Sequence, residues 1–445
     1  MNRKLIPRKY SRRDFLKWGV RGTLGIALAG SALSTLRPQQ AVAGTGRPFL
    51  TPNPGPVARP DGQTAVRHLR FGATDGFLSL PGRRVNSPAG GVYMFGFVLG
   101  EVTDSIGDFI QKYKGRVRTP APIVDVTENQ DVYITLTNLG FEQRPDLDDS
   151  HTIHWHGFRN PNSVFDGVPE VSISVPVARD FPYFFRPRDE GTYMYHCHFE
   201  DTEHVQMGMD GIVFVRPQPG AGITPYHAYA DFSTAFDREY TLLLNEVDTI
   251  PHDNLLAVQG FVWSDYKPNY WVINGRSYPD TLYTDLDLAN EVDAVAAELK
   301  NRQPVSSLIQ ANPGEKILLR MASLGYEQHA MQMMGIRMRV VGQDATFLGP
   351  LAYDTHTIYI GPGEARDAIF VAPPYNPNLP GGTDAAGDYN VYWFKNRNYQ
   401  RLVNDREPGL GGMITQVRVY APNPDNSPSL PTQEWPNQTF PRPTV

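Results

Sequence analysis

Residues 191–198 read Gly191-Thr-Tyr-Met-Tyr-His-Cys-His198, and His204 and Met209 follow closely. A glycine leading into an aromatic, apolar run has the composition of a buried β-strand. This strand carries Cys197, the single cysteine of a 445-residue chain. One cysteine cannot form an internal disulfide, so its thiol calls for another role, such as metal ligation or nucleophilic work. A second dense segment is His151-Thr-Ile-His154-Trp-His156-Gly157, so that six of the 11 histidines fall in two short stretches. Imidazole, thiolate and thioether donors together select a soft transition metal, copper above all. Two His, one Cys and a distant Met make the blue-copper set.

Alternation along strands sorts these donors. His196 and His198 point to one face and Cys197 to the other, while His154 and His156 share a face and His151 has the opposite parity. One face therefore collects His151 and Cys197, joined by His204 and Met209 from the following loop. The other presents His154, His156, His196 and His198. The expectation is two metal sites back to back, bridged by the backbone of residues 196–198.

These motifs resemble the multicopper oxidase family, whose signatures are H-x-x-H-x-H-G and H-C-H followed by His and Met. Asp166-Gly-Val-Pro169 and Pro176 also look like that family's first domain. The resemblance covers roughly residues 68–423. It implies an all-β fold of two cupredoxin-like Greek-key β-sandwich domains, with copper as cofactor. By similarity His151, Cys197, His204 and Met209 hold a type 1 copper, His154 is a type 2 ligand, and His156, His196 and His198 are type 3 ligands. The seven-residue step from Cys197 to His204 is longer than the family's usual spacing, whereas His204 to Met209 matches. A type 1 site in the first of two domains resembles the small two-domain oxidases, which are usually trimers.

The rest of the chain fits an exported β protein. A net charge of −6 excludes the basic footprint of a nucleic-acid binder. With 39 Pro, 40 Gly and 11% aromatic residues, the chain reads as short strands joined by many turns. Residues 1–43 read as a twin-arginine export signal. Arg12 and Arg13 precede a weakly apolar run from Trp18 to Leu36, and Ala41-Val42-Ala43 marks the cleavage site. This predicts a periplasmic protein with no membrane span after signal cleavage. Residues 44–67 form a Pro/Gly-rich arm, 68–217 the first, copper-binding domain and 218–238 a linker. Residues 239–423 form the second domain and 424–445 a Pro-rich tail. Strands are expected at Asp131–Asn138, Gly211–Val215, Thr241–Asn245, Lys316–Arg320, Arg337–Val341 and Thr415–Tyr420.

The second domain echoes the first without its ligands. His329-Ala-Met-Gln332-Met-Met334-Gly335 has Gln332 and Met334 where imidazoles would stand. In the segment after Gly387, Tyr392 and Phe394 are expected in place of the second imidazole pair and Trp393 in place of the cysteine. Met331, Met333, Met334 and Met338 form either a thioether site for copper(I) or adaptable core packing.

Three functions follow. One is a multicopper-oxidase-like enzyme oxidising a phenolic, metal-ion or other small-molecule donor, with O2 as acceptor. Another is an electron-transfer or copper-handling protein without a complete trinuclear cluster. The third is a relative of copper nitrite reductase, in which His329 would be the catalytic histidine. The four-histidine face lacks a ligand-bearing cap, so a homo-oligomer is expected to cover it.

Overall fold

The first sandwich is built where period-two alternation is clearest. Along Asp131–Asn138, Val132, Ile134 and Leu136 are fully buried, while Tyr133 and Thr135 lie on the half-exposed side. The computed structural model describes residues 56–58, 65–88, 90–159 and 162–439, all within one compact unit. The twin-arginine segment and most of the arm lie outside the described residues.

Nine strands make the first sandwich: β1 Pro56–Ala58, β2 Ala65–Leu78, β3 Val92–Gly100, β4 Val124–Thr127, β5 Asp131–Asn138, β6 His154–His156, β7 Asp180–Phe185, β8 Gly191–His196 and β9 Asp210–Arg216. One sheet runs β1-β2-β5-β7 with β3 paired to β2, and the facing sheet runs β4-β9-β8-β6. A core of Phe71, Phe95, Phe97, Ile134, Trp155, Tyr183 and Tyr195 fills the space between them, and Cys197 and Met209 belong to it.

The second sandwich contains β10 Arg238–Val247, β11 Tyr270–Ile273, β12 Ile309–Ala311, β13 Lys316–Ser323, β14 His329–Met333, β15 Met338–Gln343, β16 Thr346–Phe347, β17 Tyr353–Thr355, β18 Thr357–Ile360, β19 Glu364–Val371, β20 Gly381–Asp384, β21 Gly387–Asn396 and β22 Ile414–Tyr420. Its sheets run β11-β10-β13-β19-β15-β16, with β17 on β15, and β12-β22-β21-β14-β18, with β20 on β21. The fold is thus all-β, two cupredoxin-like sandwiches in sequence. Met331, Met333 and Met338 lie fully inside the second core, so core packing accounts for them, while Met334 is exposed.

The sandwiches pack face to face. Strand β9 is buried along its whole length because its outer side meets the second sandwich. Met194, Ile212 and Phe214 interdigitate there with Leu243, Ala322, Leu324 and Ala365. A buried charge network crosses the same seam. Arg216 is held by Asp125 and Glu239, each at 2.6 Å, and Arg320 Nε donates to Glu239 at 3.1 Å. The Arg320 guanidinium also lies 4.5 Å over the Phe214 ring. Asp367 accepts from the hydroxyls of Thr192 and Tyr229, both at 2.6 Å. The 218–238 segment is therefore no loose tether: Tyr229 and Phe236 pack under the second sandwich. The Pro-rich tail also returns, with Gln433 and Asn437 bonded to the edge of β10.

Candidate metal centre

The segment before β6, together with the residues between β8 and β9, delivers the inner donor set. Cys197, His151, His204 and Met209 are all fully buried. The Cys197 Sγ lies 3.3 Å from His204 Nδ1 and 3.9 Å from His151 Nδ1. Its backbone N–H donates to the Met209 carbonyl at 3.0 Å, which draws the loop back under the thiol. The Thr152 N–H donates to Sγ at 3.4 Å, and the Thr152 hydroxyl accepts from the His198 N–H at 2.9 Å. Thr152 thus braces both sides of the motif, a role no sequence signal announced. Burial, and then His204, push the His151 pKa well below its usual value. Burial also opposes charge on His204, but Cys197 and Asp149 outweigh it and raise that pKa to about 10.

The outer face gathers the other four imidazoles. Ring centroids lie 5.2 Å apart for His154 and His196, 5.1 Å for His154 and His198, and 5.7 Å for His156 and His196. One nitrogen each from His154, His156 and His196 fall within 4.8 Å of one another. Backbone carbonyls set the tautomers: His154 Nδ1 donates to Asp166 O at 2.7 Å, and His196 Nδ1 to Cys197 O at 2.9 Å. Both rings therefore carry their lone pair on Nε2. His156 is turned the other way, with Nδ1 3.5 Å from His196 Nε2. Desolvation lowers the pKa of His154 and His156 and brings His196 to about 3, so these rings are neutral donors at ordinary pH. His198 stands at the open side, 30% exposed, with Nδ1 3.7 Å from Asp201 Oδ2.

Two expectations need correction. The outer face is partly closed within the chain itself, because it continues into the seam between the sandwiches and His156 packs against Gly363 of the second one. A neighbouring subunit is therefore not the only cap. The second concerns the echo. Gln332 pairs with Lys395 across β14 and β21, as His154 pairs with His196 across β6 and β8. At Gly157 and Gly335, with φ of +85° and +83°, an added Cβ would lie 3.4 Å from a tyrosine Cδ1, on Tyr193 and Tyr392 respectively. Tyr392 thus corresponds to Tyr193, and the H-C-H positions belong to Lys395, Asn396 and Arg397 rather than Tyr392, Trp393 and Phe394. Strand β21 begins three residues earlier than β8 does, which shifted the reading from Gly387. His329 is enclosed, with Asn396 Nδ2 donating to its Nδ1 at 3.0 Å, and is not among the imidazoles brought together on the outer face.

Residues 115–220, the segment that carries this geometry, match the family model described as multicopper oxidase. That match covers about a quarter of the chain and falls on its first sandwich. Among curated relatives it is 26% identical over 260 residues to Laccase-15 of Oryza sativa subsp. japonica, covering 57% of this chain and 37% of that protein. It is 26% identical over 274 residues to copper resistance protein A of Escherichia coli, covering 56% and 41%. The chain thus spans about two fifths of the length of these curated relatives. Among solved structures, the blue copper oxidase from Nitrosomonas europaea matches with a TM-score of 0.57 at 22% identity, over 79% of this chain and 85% of that one. The copper nitrite reductase from the same organism matches at 0.50 and 18%, over 80% and 94%. These last two likenesses concern the fold. Like the segment that matches this family model, the site offers a thiolate–imidazole–thioether set that fits copper, with neutral, pre-oriented nitrogens behind it.

Proposed function

We propose that this chain is an exported copper oxidoreductase. It removes single electrons from a small-molecule or metal-ion donor at a type 1 copper held by His151, Cys197, His204 and Met209. His154, His156, His196 and His198 would hold the copper that receives them, with O2 as acceptor. Copper, when bound, supplies the one-electron chemistry at both places. The observation that carries this reading is the single peptide unit joining the two donor sets, with His196 Nδ1 also bonded to the Cys197 carbonyl at 2.9 Å. The protein's own part is to keep both thiol-side imidazoles out of water, to fix the outer tautomers through Asp166 and Cys197 carbonyls, and to seal one side with Gly363. Periplasmic export by the twin-arginine route is part of the proposal. Among the described residues no helix is long and apolar enough to cross a membrane. A homo-oligomer, a trimer by resemblance, would close the side left open at His198.

A second reading is an electron-transfer or copper-handling protein. It is favoured by the register that puts Lys395 and Arg397, two cations, where a second set of imidazoles would be. Copper per chain, measured with oxygen uptake on phenolic and metal-ion donors, decides between them. More than one copper with donor-dependent oxygen uptake supports the oxidase. One copper and no uptake supports the carrier. Nitrite reduction in place of oxygen uptake would move the assignment to the nitrite-reductase-like alternative.

A further inference from the structure

The backbone of the second sandwich repeats the inner ligand positions of the first. In the first, the Cys197 N–H donates to Met209 O and the Met209 N–H to His204 O, both at 3.0 Å. In the second, the Asn396 N–H donates to Met413 O and the Met413 N–H to Arg401 O, both at 2.9 Å. His329 heads its motif as His151 does, and each is bridged antiparallel to the chain on its far side, at Ile360 and Val175. We infer that His329, Asn396, Arg401 and Met413 form a silenced copper cup, which keeps a soft-metal frame but takes no copper until a thiolate is restored.

The side chains show how the cup is silenced. The Asn396 Oδ1 accepts the Asn398 N–H at 2.9 Å, which orients the amide. Its Nδ2 then faces His329 Nδ1 at 3.0 Å and the Met413 sulfur at 3.6 Å. On the other side His329 Nε2 lies beside Glu246 Oε1. Because the oriented Asn396 amide presents its N–H to Nδ1, His329 turns the Nδ1 lone pair inward, the tautomer that ligation through Nδ1 requires. An amide hydrogen accepts that lone pair where a metal would. His329, Asn396 and Met413 are fully buried beside an apolar core. Without a thiolate, a divalent ion in the cup would have no anionic ligand of its own there. Arg401, at the position of the second imidazole, turns away to Glu327 at 2.8 Å.

This inference rests on reading the first cup as a copper site, and its test separates the two. Asn396→Cys with Arg401→His is made in full-length Cys197→Ser protein and loaded with copper(II). The expected result is a visible thiolate-to-copper band that the Cys197→Ser parent lacks. A folded variant without that band overturns the inference, whereas a wild-type protein that is not blue overturns the first site instead. Should the variant fail to fold, nitrogen-15 NMR of the copper(I) wild-type protein reads the same frame. His329, identified by its loss in His329→Gln, should show a protonated Nε2 and a bare Nδ1, and a protonated Nδ1 contradicts the cup. Copper content of Met413→Leu should equal that of wild type, and loss of a copper would show an occupied site, not a silenced one.

Discussion

His156 rests on the backbone of Gly363: a Cβ at that glycine would lie 3.1 Å from the ring's Cε1 and 3.2 Å from its Nε2. This outer imidazole is therefore held between the sandwiches, and Gly363, at φ +74°, is required both for space and for conformation. Gly363→Ala should cost about 1–2 kcal/mol through its left-handed backbone alone. It should also push His156 away from His196 and weaken copper retention on the outer face, leaving the blue colour intact. Copper titration and thermal unfolding of the variant check both effects. Unchanged outer-face affinity would mean the glycine sets only the turn.

Cys197→Ser should abolish the intense visible band, because a hydroxyl cannot supply the thiolate charge transfer of the type 1 set. The variant should keep its fold, since serine is close in volume and can take the Thr152 N–H now 3.4 Å from Sγ. A variant that stays blue would refute the inner-site assignment.

Replacing His154 and His156 together with Gln should remove copper beyond the type 1 ion and stop oxygen uptake, with the visible band retained. The reason is strand parity: these rings leave β6 on the face opposite the buried Trp155 and the thiol. Loss of the band along with the second copper would show that the two sets are not independent.

His252 sets an acid limit on stability. It is fully buried with Nδ1 bonded to the Tyr93 carbonyl at 2.5 Å, and burial lowers its pKa to about 4. The unfolded chain binds this proton below about pH 6.5, the folded chain only near pH 4, so stability falls as pH drops through that window. The full loss is on the order of 3 kcal/mol. His252→Asn should flatten the pH dependence of denaturant unfolding between those limits, whatever it does to stability at neutral pH. An unaltered slope would count against the buried neutral ring.

Export is checked by changing Arg12 and Arg13 to Lys. The precursor should then accumulate in the cytoplasm, and normal periplasmic yield would exclude the twin-arginine route.

Much of the first site was legible because its information is local. Cys197, its neighbours at 196 and 198, and the 151–156 motif each sit on a strand whose period of two sorts them without knowledge of the fold. The strands read at Asp131–Asn138 and Gly211–Val215, the latter observed as Asp210–Arg216, were similarly open to reading from their apolar residues. What failed was non-local. Strand β21 begins three residues earlier than its counterpart β8, so counting from Gly387 named Trp393 where the ladder puts Asn396. Thr152, Gly363 and Glu246 matter through neighbours distant in sequence, and nothing in their own surroundings signals it. The seam between the sandwiches was likewise invisible, since Arg216, Glu239 and Arg320 read as ordinary surface charges until the strands are stacked.

That seam bears on how the molecule can be taken apart. Severing the sandwiches would strand Arg216 and Asp125 on one fragment and Glu239, Arg320 and Asp367 on the other. It would also bare the apolar outer side of β8 and β9 to solvent. Each fragment would then expose an apolar, charge-bearing face, so the halves should melt as a single cooperative unit. A ligand-poor sandwich can thus persist as an obligate folding partner of the one that holds the metal.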